Sequence, residues 1–159
     1  MSCCKELTEG AKGLKAGIKD RAIWFHLLVA AAEKQNADIE KLCDDAIFTF
    51  GVNLYKDRTC ETPSEFVHMM LESPWGRECF DQNLIQDTPE LAEAKFYSCP
   101  LVEAWKEYGL SDERIRYLCD LASKGDFGRA SNFPKIKIAF PKKLAYGDDC
   151  CDLVVTPAE

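Results

Sequence analysis

Three cysteines stand where sulfur chemistry is open to them: Ser98-Cys99-Pro100, Tyr117-Leu118-Cys119-Asp120 and Gly147-Asp148-Asp149-Cys150-Cys151-Asp152. A thiolate is a strong nucleophile once its pKa is lowered. Three thiolates are also a ligand set for zinc, whose catalytic sites combine three protein ligands with a water. Asp148 follows a glycine and stands just before the Cys150–Cys151 pair, so its carboxylate is a candidate for moving protons. The plainer uses stay open beside these. Cysteine packs as a small hydrophobe, and an aspartate after glycine bonds its own backbone in a turn. Chemistry requires that Cys99, Cys119 and Cys151 meet.

Local pattern gives each of them a place. Ile18, Ala22, Phe25, Val29 and Ala32 draw one apolar stripe along a first helix from about Leu14 to Glu33. A second helix is expected over 38–55, with Ile39, Leu42, Cys43, Ala46, Ile47, Phe50 and Leu54 inward. Thr62-Pro63-Ser64-Glu65 opens a third with a capping box and carries Phe66, Val67, Met70 and Leu71 as far as Ser73-Pro74. Residues 78–86 and 92–98 then flank the turn-like Asp87-Thr88-Pro89-Glu90, which predicts a hairpin, although Leu91 to Lys95 also suits a helix.

Pro100 ends the second strand of that hairpin and seeds a helix with Leu101, Ala104, Trp105 and Tyr108 on one face, stopped by Gly109. The next helix starts at Ser111-Asp112-Glu113, turns Ile115, Leu118, Cys119 and Ala122 inward, and closes at Lys124-Gly125-Asp126. Ile136, Ile138 and Phe140 alternate as a strand, and Cys151, Leu153 and Val155 share the helix-covered face of a last one. Cys150 points the other way, Cys43 reads as helix core, and Cys3, Cys4 and Cys60 read as peripheral.

The expected fold is α+β: N-terminal helices over about 10–75, then a mainly antiparallel sheet over about 76–157 with two inserted helices, in a single domain spanning 1–159. Cys99 ends a strand, Cys119 lies on an inward helical stripe and Cys151 starts the last strand, so all three can reach one helix–sheet seam.

Bulk properties narrow the function. The chain has 159 residues, 47% hydrophobic and 30% charged, which is a globular composition able to bury a core. A net charge of −7 argues against nucleic acid, and Lys135, Lys137, Lys142 and Lys143 read as the solvated side of a strand. The start, Met1-Ser2-Cys3-Cys4-Lys5-Glu6, has no signal-peptide pattern, and the longest apolar run, Leu27 to Ala32, is too short to span a bilayer. A cytoplasmic protein with reduced thiols and no membrane partner is expected. Nine cysteines form no Cys-x-x-Cys motif, which argues against zinc ribbons and thioredoxin-like chemistry. His26 and His68 have no neighbour at metal spacing. No cofactor is required by the sequence, although zinc or another thiophilic metal on Cys99, Cys119 and Cys151 is an alternative to a nucleophile.

The order Cys99-Pro100, Cys119-Asp120 and Gly147-Asp148 followed by Cys151-Asp152-Leu153 resembles the L-2-amino-thiazoline-4-carboxylic acid hydrolase family. The helical first half, including Arg21-Ala22-Ile23-Trp24, suits it as well, while Leu153 replaces the aromatic residue often found there. The resemblance implies a hydrolase that opens a small cyclic C–N/C–S compound, with Cys99, Cys119, Asp148 and Cys151 as its candidate site residues. The closing strand also resembles 4-vinyl reductase type domains, which implies the alternative of a non-catalytic small-molecule or metal-binding sensor. A solvent path to the thiols favours the enzyme; a sealed thiolate array favours the binder.

Overall fold

The computed structural model describes residues 6–158. Helix α1 (Glu9–Lys34) begins at Thr8, whose side chain accepts from the Ala11 N–H, and buries Ala11, Ile18, Ala22 and Val29. Helix α2 (Ile39–Cys43) passes through a π-helical segment (Asp44–Phe48) into α3 (Thr49–Tyr55). Helix α4 (Pro63–Met70) has the expected capping box between Thr62 and Glu65. A further short helix, α5 (Pro74–Cys79), precedes β1 (Gln82–Asp87) and β2 (Ala92–Phe96). Helices α6 (Pro100–Glu107) and α7 (Asp112–Ala130) are inserted before β3 (Ile136–Lys142) and β4 (Cys151–Pro157).

The fold class is α+β. The strands pair antiparallel in the order β1-β2-β4-β3, so the last strand enters between the hairpin and β3. Register sets Ala92, Ala94 and Phe96 of β2 opposite Val155, Leu153 and Cys151 of β4. That row faces a core of Tyr55, Phe66, Val67, Leu71 and Phe133. A second core joins Ala22 and Val29 of α1, Ile39 and Cys43 of α2, Val102 and Trp105 of α6, and Ile115, Leu118 and Leu121 of α7. Trp105 is buried there and its indole N–H donates to the Ala22 carbonyl at 2.9 Å, tying α6 to α1.

Four expectations are corrected. Along 39–55 the inward positions are Ile39, Cys43, Ile47, Gly51 and Tyr55, whereas Leu42, Ala46, Phe50 and Leu54 are exposed. A strict four-residue step drifts around an α-helix of 3.6 residues per turn. The π segment holds more residues per turn and keeps that step on one face. Helix α7 does not close at Gly125 but runs on to Ala130. Gly128 serves packing: a Cβ there would lie 2.1 Å from the Phe48 carbonyl oxygen, and one on Gly51 of α3 would lie 2.0 Å from the Gly125 carbonyl oxygen, whereas a Cβ on Gly125 itself would make ordinary contacts with Ile47.

The third correction is α5, where Ser73 caps and Pro74 occupies the first turn, so the hairpin begins only at Gln82. The fourth concerns individual side chains. Cys60 is buried rather than peripheral, its thiol donating to the Thr62 carbonyl, while Tyr108 of α6 is exposed. Cys150, expected to face away, is buried just before β4, and Cys151 is half-buried. Cys3 and Cys4 lie outside the described residues.

Candidate functional site

Cys99 is the residue that leads β2 into α6. It holds an extended backbone at the helix N-cap, with Pro100 in the first turn. Because α6 turns directly on it, the positions four and seven residues on, Glu103 and Lys106, lie on its side of the helix. A cleft of about 160 Å³ opens there, lined by Tyr97, Ser98, Cys99, Val102, Glu103, Lys106 and Leu144.

Glu103 is held firmly. Its carboxylate accepts from the Ser98 hydroxyl at 2.7 Å and from the Lys15 ammonium at 2.8 Å, with Lys19 at 3.5 Å. Burial opposes its charge, yet these donors keep its pKa below the ordinary carboxylate value.

The far wall of the cleft is the loop between β3 and β4. Residues Leu144–Tyr146 form a 3₁₀ turn ended by Gly147 at φ 91°, a left-handed conformation that suits glycine. Asp148 braces this loop: it is exposed, and its carboxylate accepts from the Lys143 backbone N–H at 2.8 Å. Asp120 of α7 latches the loop from below by accepting from the Lys143 ammonium at 2.8 Å and the Tyr146 hydroxyl at 2.5 Å. The Leu144 N–H donates to Cys151 Sγ at 3.3 Å.

The structure brings the three thiols into one neighbourhood. The charge of an ionised Cys151 or Cys119 would reach Cys99, and that of Cys151 would reach Cys119. Cys99 and Cys119 pack against the helical core, while Cys151 belongs to the sheet. Only Cys99 of the three lines the cleft.

Desolvation dominates their ionisation. Burial pushes the Cys99 thiol up to about 12, against the favourable pull of the Val102 and Leu101 N–H groups. It pushes Cys119 up to about 11, with Lys143 opposing, and it raises Cys151 while the Leu144 N–H opposes. All three are thiols, not thiolates, near neutral pH. Among the described residues no group of three His, Cys, Asp or Glu side chains is arranged to hold a metal.

Sequence reasoning missed Ser98, Glu103 and Lys106 as lining residues. The signal was present: a cysteine before proline at a helix start, followed by charged residues four and seven positions later. Asp126 was also missed. It stands seven residues after Cys119 on α7, where desolvation raises its pKa and Lys143 and Arg129 oppose that rise. His68 pairs with Asp87 at 2.8 Å, and His26 packs edge-on against Tyr108.

No helix among the described residues is long and apolar enough to cross a membrane. Among solved structures the chain is similar to a trafficking protein particle complex subunit 3 from Naegleria fowleri, covalently bound to palmitic acid. The TM-score is 0.60 at 13% identity, over 91% of this chain and 97% of that one, a likeness of fold. None of the curated proteins matches the chain. The order of thiols around the α6 start and the β3–β4 loop agrees with a family match that spans residues 16–155, and the chain belongs to the L-2-amino-thiazoline-4-carboxylic acid hydrolase family.

Proposed function

We propose that the chain is a hydrolase that opens a small cyclic amidine-type ring such as 2-amino-thiazoline-4-carboxylate, with Cys99 as the nucleophile. The observation that carries this reading is the position of Cys99 at the α6 N-terminus inside a cleft of about 160 Å³. At ~30 Å³ per water in the liquid, the cleft has room for about five waters. That is the scale of a single small heterocycle.

A protonated thiol needs a partner for its proton, and the substrate supplies one. Cys99 Sγ bonds to the ring carbon between sulfur and nitrogen while the S–H proton passes to the ring nitrogen. The tetrahedral centre then collapses: the bond from carbon to ring sulfur breaks, the exocyclic amino group forms a double bond to carbon, and its proton goes to the departing sulfur. Water adds to the resulting S-linked isothiourea, the bond to Cys99 breaks, and the new hydroxyl proton returns to Sγ. The product is N-carbamoyl-cysteine, the sum of substrate and one water. Cys119 and Cys151 are neutral thiols outside the cleft lining, and Asp148 holds the loop that forms its far wall.

A second reading, a small-molecule-binding domain without turnover, is favoured by the raised thiol pKa values, which leave no standing thiolate at neutral pH. The similar trafficking subunit is covalently bound to palmitic acid. A long acyl chain exceeds this cleft, so under the second reading the ligand is also small.

Incubating the purified protein with 2-amino-thiazoline-4-carboxylate and following N-carbamoyl-cysteine by mass spectrometry separates the two readings. Product should form with wild type, fall at least 100-fold in Cys99→Ser, and persist in Cys119→Ser. Full activity in a well-folded Cys99→Ser protein would remove nucleophilic catalysis by this residue. Saturable binding without product would establish the second reading.

A further inference from the structure

The two charged residues that line the cleft are in opposite situations. Glu103 is neutralised by Lys15, and the pair of Lys15 and Lys19 is balanced in turn by Glu103 and Glu107, with Lys19 to Glu107 at 2.6 Å. Lys106 lines the same cleft and has no ion-pair partner among the described residues. The wall beside Cys99 thus carries one uncompensated positive charge, in a chain whose net charge is −7. A single ammonium on a flexible stem acts as a point charge. It suits one carboxylate better than a phosphate, which favours several donors or a bidentate guanidinium.

We propose that Lys106 is the specificity residue of the cleft, receiving the carboxylate of a small anionic heterocycle and thereby setting its ring over Cys99. This rests on the hydrolase reading for the identity of the substrate, but the anion preference at Cys99 follows from the cleft alone. Lys106 is exposed, so its attraction is screened by salt and modest in size. Because it acts on a part of the substrate that does not react, it contributes to binding equally before and during the reaction.

The test uses two alkylating probes of nearly equal size and opposite character, iodoacetate and iodoacetamide, with modification at Cys99 read by peptide mass spectrometry at pH 9. The ratio of the two rates cancels the thiolate fraction and any slow opening of the site. Lys106→Gln should lower the iodoacetate-to-iodoacetamide ratio about two- to fivefold. Lys106→Arg should restore it, and raising the salt concentration should shrink it in wild type and Lys106→Arg but not in Lys106→Gln. In turnover, Lys106→Gln should raise KM for 2-amino-thiazoline-4-carboxylate by a similar factor at unchanged kcat.

An unchanged alkylation ratio in Lys106→Gln overturns the proposal whatever the turnover. If wild type makes no product while the ratio still falls in Lys106→Gln and recovers in Lys106→Arg, the hydrolase reading fails and the anion site stands.

Discussion

The sheet-side core and the helical core bury similar side chains for different purposes. On the sheet side, Tyr55, Phe66 and Phe133 meet edge-on or tilted with ring centroids 6.0–6.3 Å apart, over a row of small and branched strand residues. Cys60, a buried member of this core, is tied to the Thr62 carbonyl, and Cys151 stands at the end of the β4 row that faces it. The helical core is built on close helix contact through Gly51, Gly125 and Gly128, and it carries Cys99 and Cys119 at its edge beside the charged loop latch. One half supplies rigidity, and the other holds reactive groups against it.

That contrast predicts separable responses. Phe66→Ala should cost about 3–5 kcal/mol by urea unfolding while leaving the alkylation ratio at Cys99 unchanged in the folded protein. A changed ratio would mean that the two cores are mechanically one. Gly128→Ala should cost about 1–3 kcal/mol and should also alter thiol accessibility, because its Cβ would meet backbone that cannot rotate away and would push on α7, which carries Cys119. An unchanged Cys119 alkylation rate would show that α7 absorbs the strain locally.

Alkaline pH should act most strongly through the helical side, although burial also raises Cys60 and Tyr55 in the sheet-side core. Cys99 and Cys119 keep their protons to about 12 and about 11 when folded, whereas unfolded thiols ionise near 9. Between those values the folded state holds more protons, so stability falls as pH rises, by up to about 1.4 kcal/mol per pH unit for each thiol. Below pH 9 this contribution is fully present. Denaturant midpoints from pH 7 to 11 would show it, and Cys99→Ser with Cys119→Ser should flatten the curve. The smallest effect is expected at Asp148. Asp148→Asn keeps an oxygen for the Lys143 N–H, so stability should shift by under about 0.5 kcal/mol and turnover should hold. Loss of turnover in a stable Asp148→Asn protein would assign the carboxylate a proton-transfer role instead.

Much of the frame was legible in the residues themselves. Thr62 and Glu65 announce the start of α4, Pro100 and Gly109 bracket α6, and alternation at Ile136 and Ile138 and at Leu153 and Val155 identifies β3 and β4. What misled were signals with two meanings. Glycine reads as a helix end by local preference, but α7 runs on through Gly125, and at Gly128 glycine answers a neighbouring helix that only tertiary structure supplies. Leu42, Phe50 and Leu54 read as core by hydrophobicity, yet all three are exposed, Phe50 and Leu54 beyond the π segment and Leu42 before it. At the site, the strand-end and helix-face positions of the thiols were readable from periodicity. Their protonation was not, because it depends on how much water the assembled elements exclude. The place of Lys106 beside Cys99 was readable from its spacing, but its lack of an ion-pair partner among the described residues was not, since that lies in the pairing of Lys15 and Lys19 with Glu103 and Glu107.

The π segment has a consequence for length variation in this chain. Its wider turn accommodates a residue that an α-helix would not, so removing one residue between Asp44 and Phe48 would leave a regular helix of intact hydrogen bonding. The side chains beyond the deletion would keep nearly their present facing relative to α2, because the angle lost with one residue is regained as the remaining ones tighten to 3.6 per turn. Tyr55 would still reach the Met69 carbonyl that its hydroxyl meets at 3.0 Å, and Gly51 would still face Gly125. Homologous chains should therefore differ by one residue within 44–48 more readily than within α1 or α7, where a deletion would turn the whole following face by about 100°.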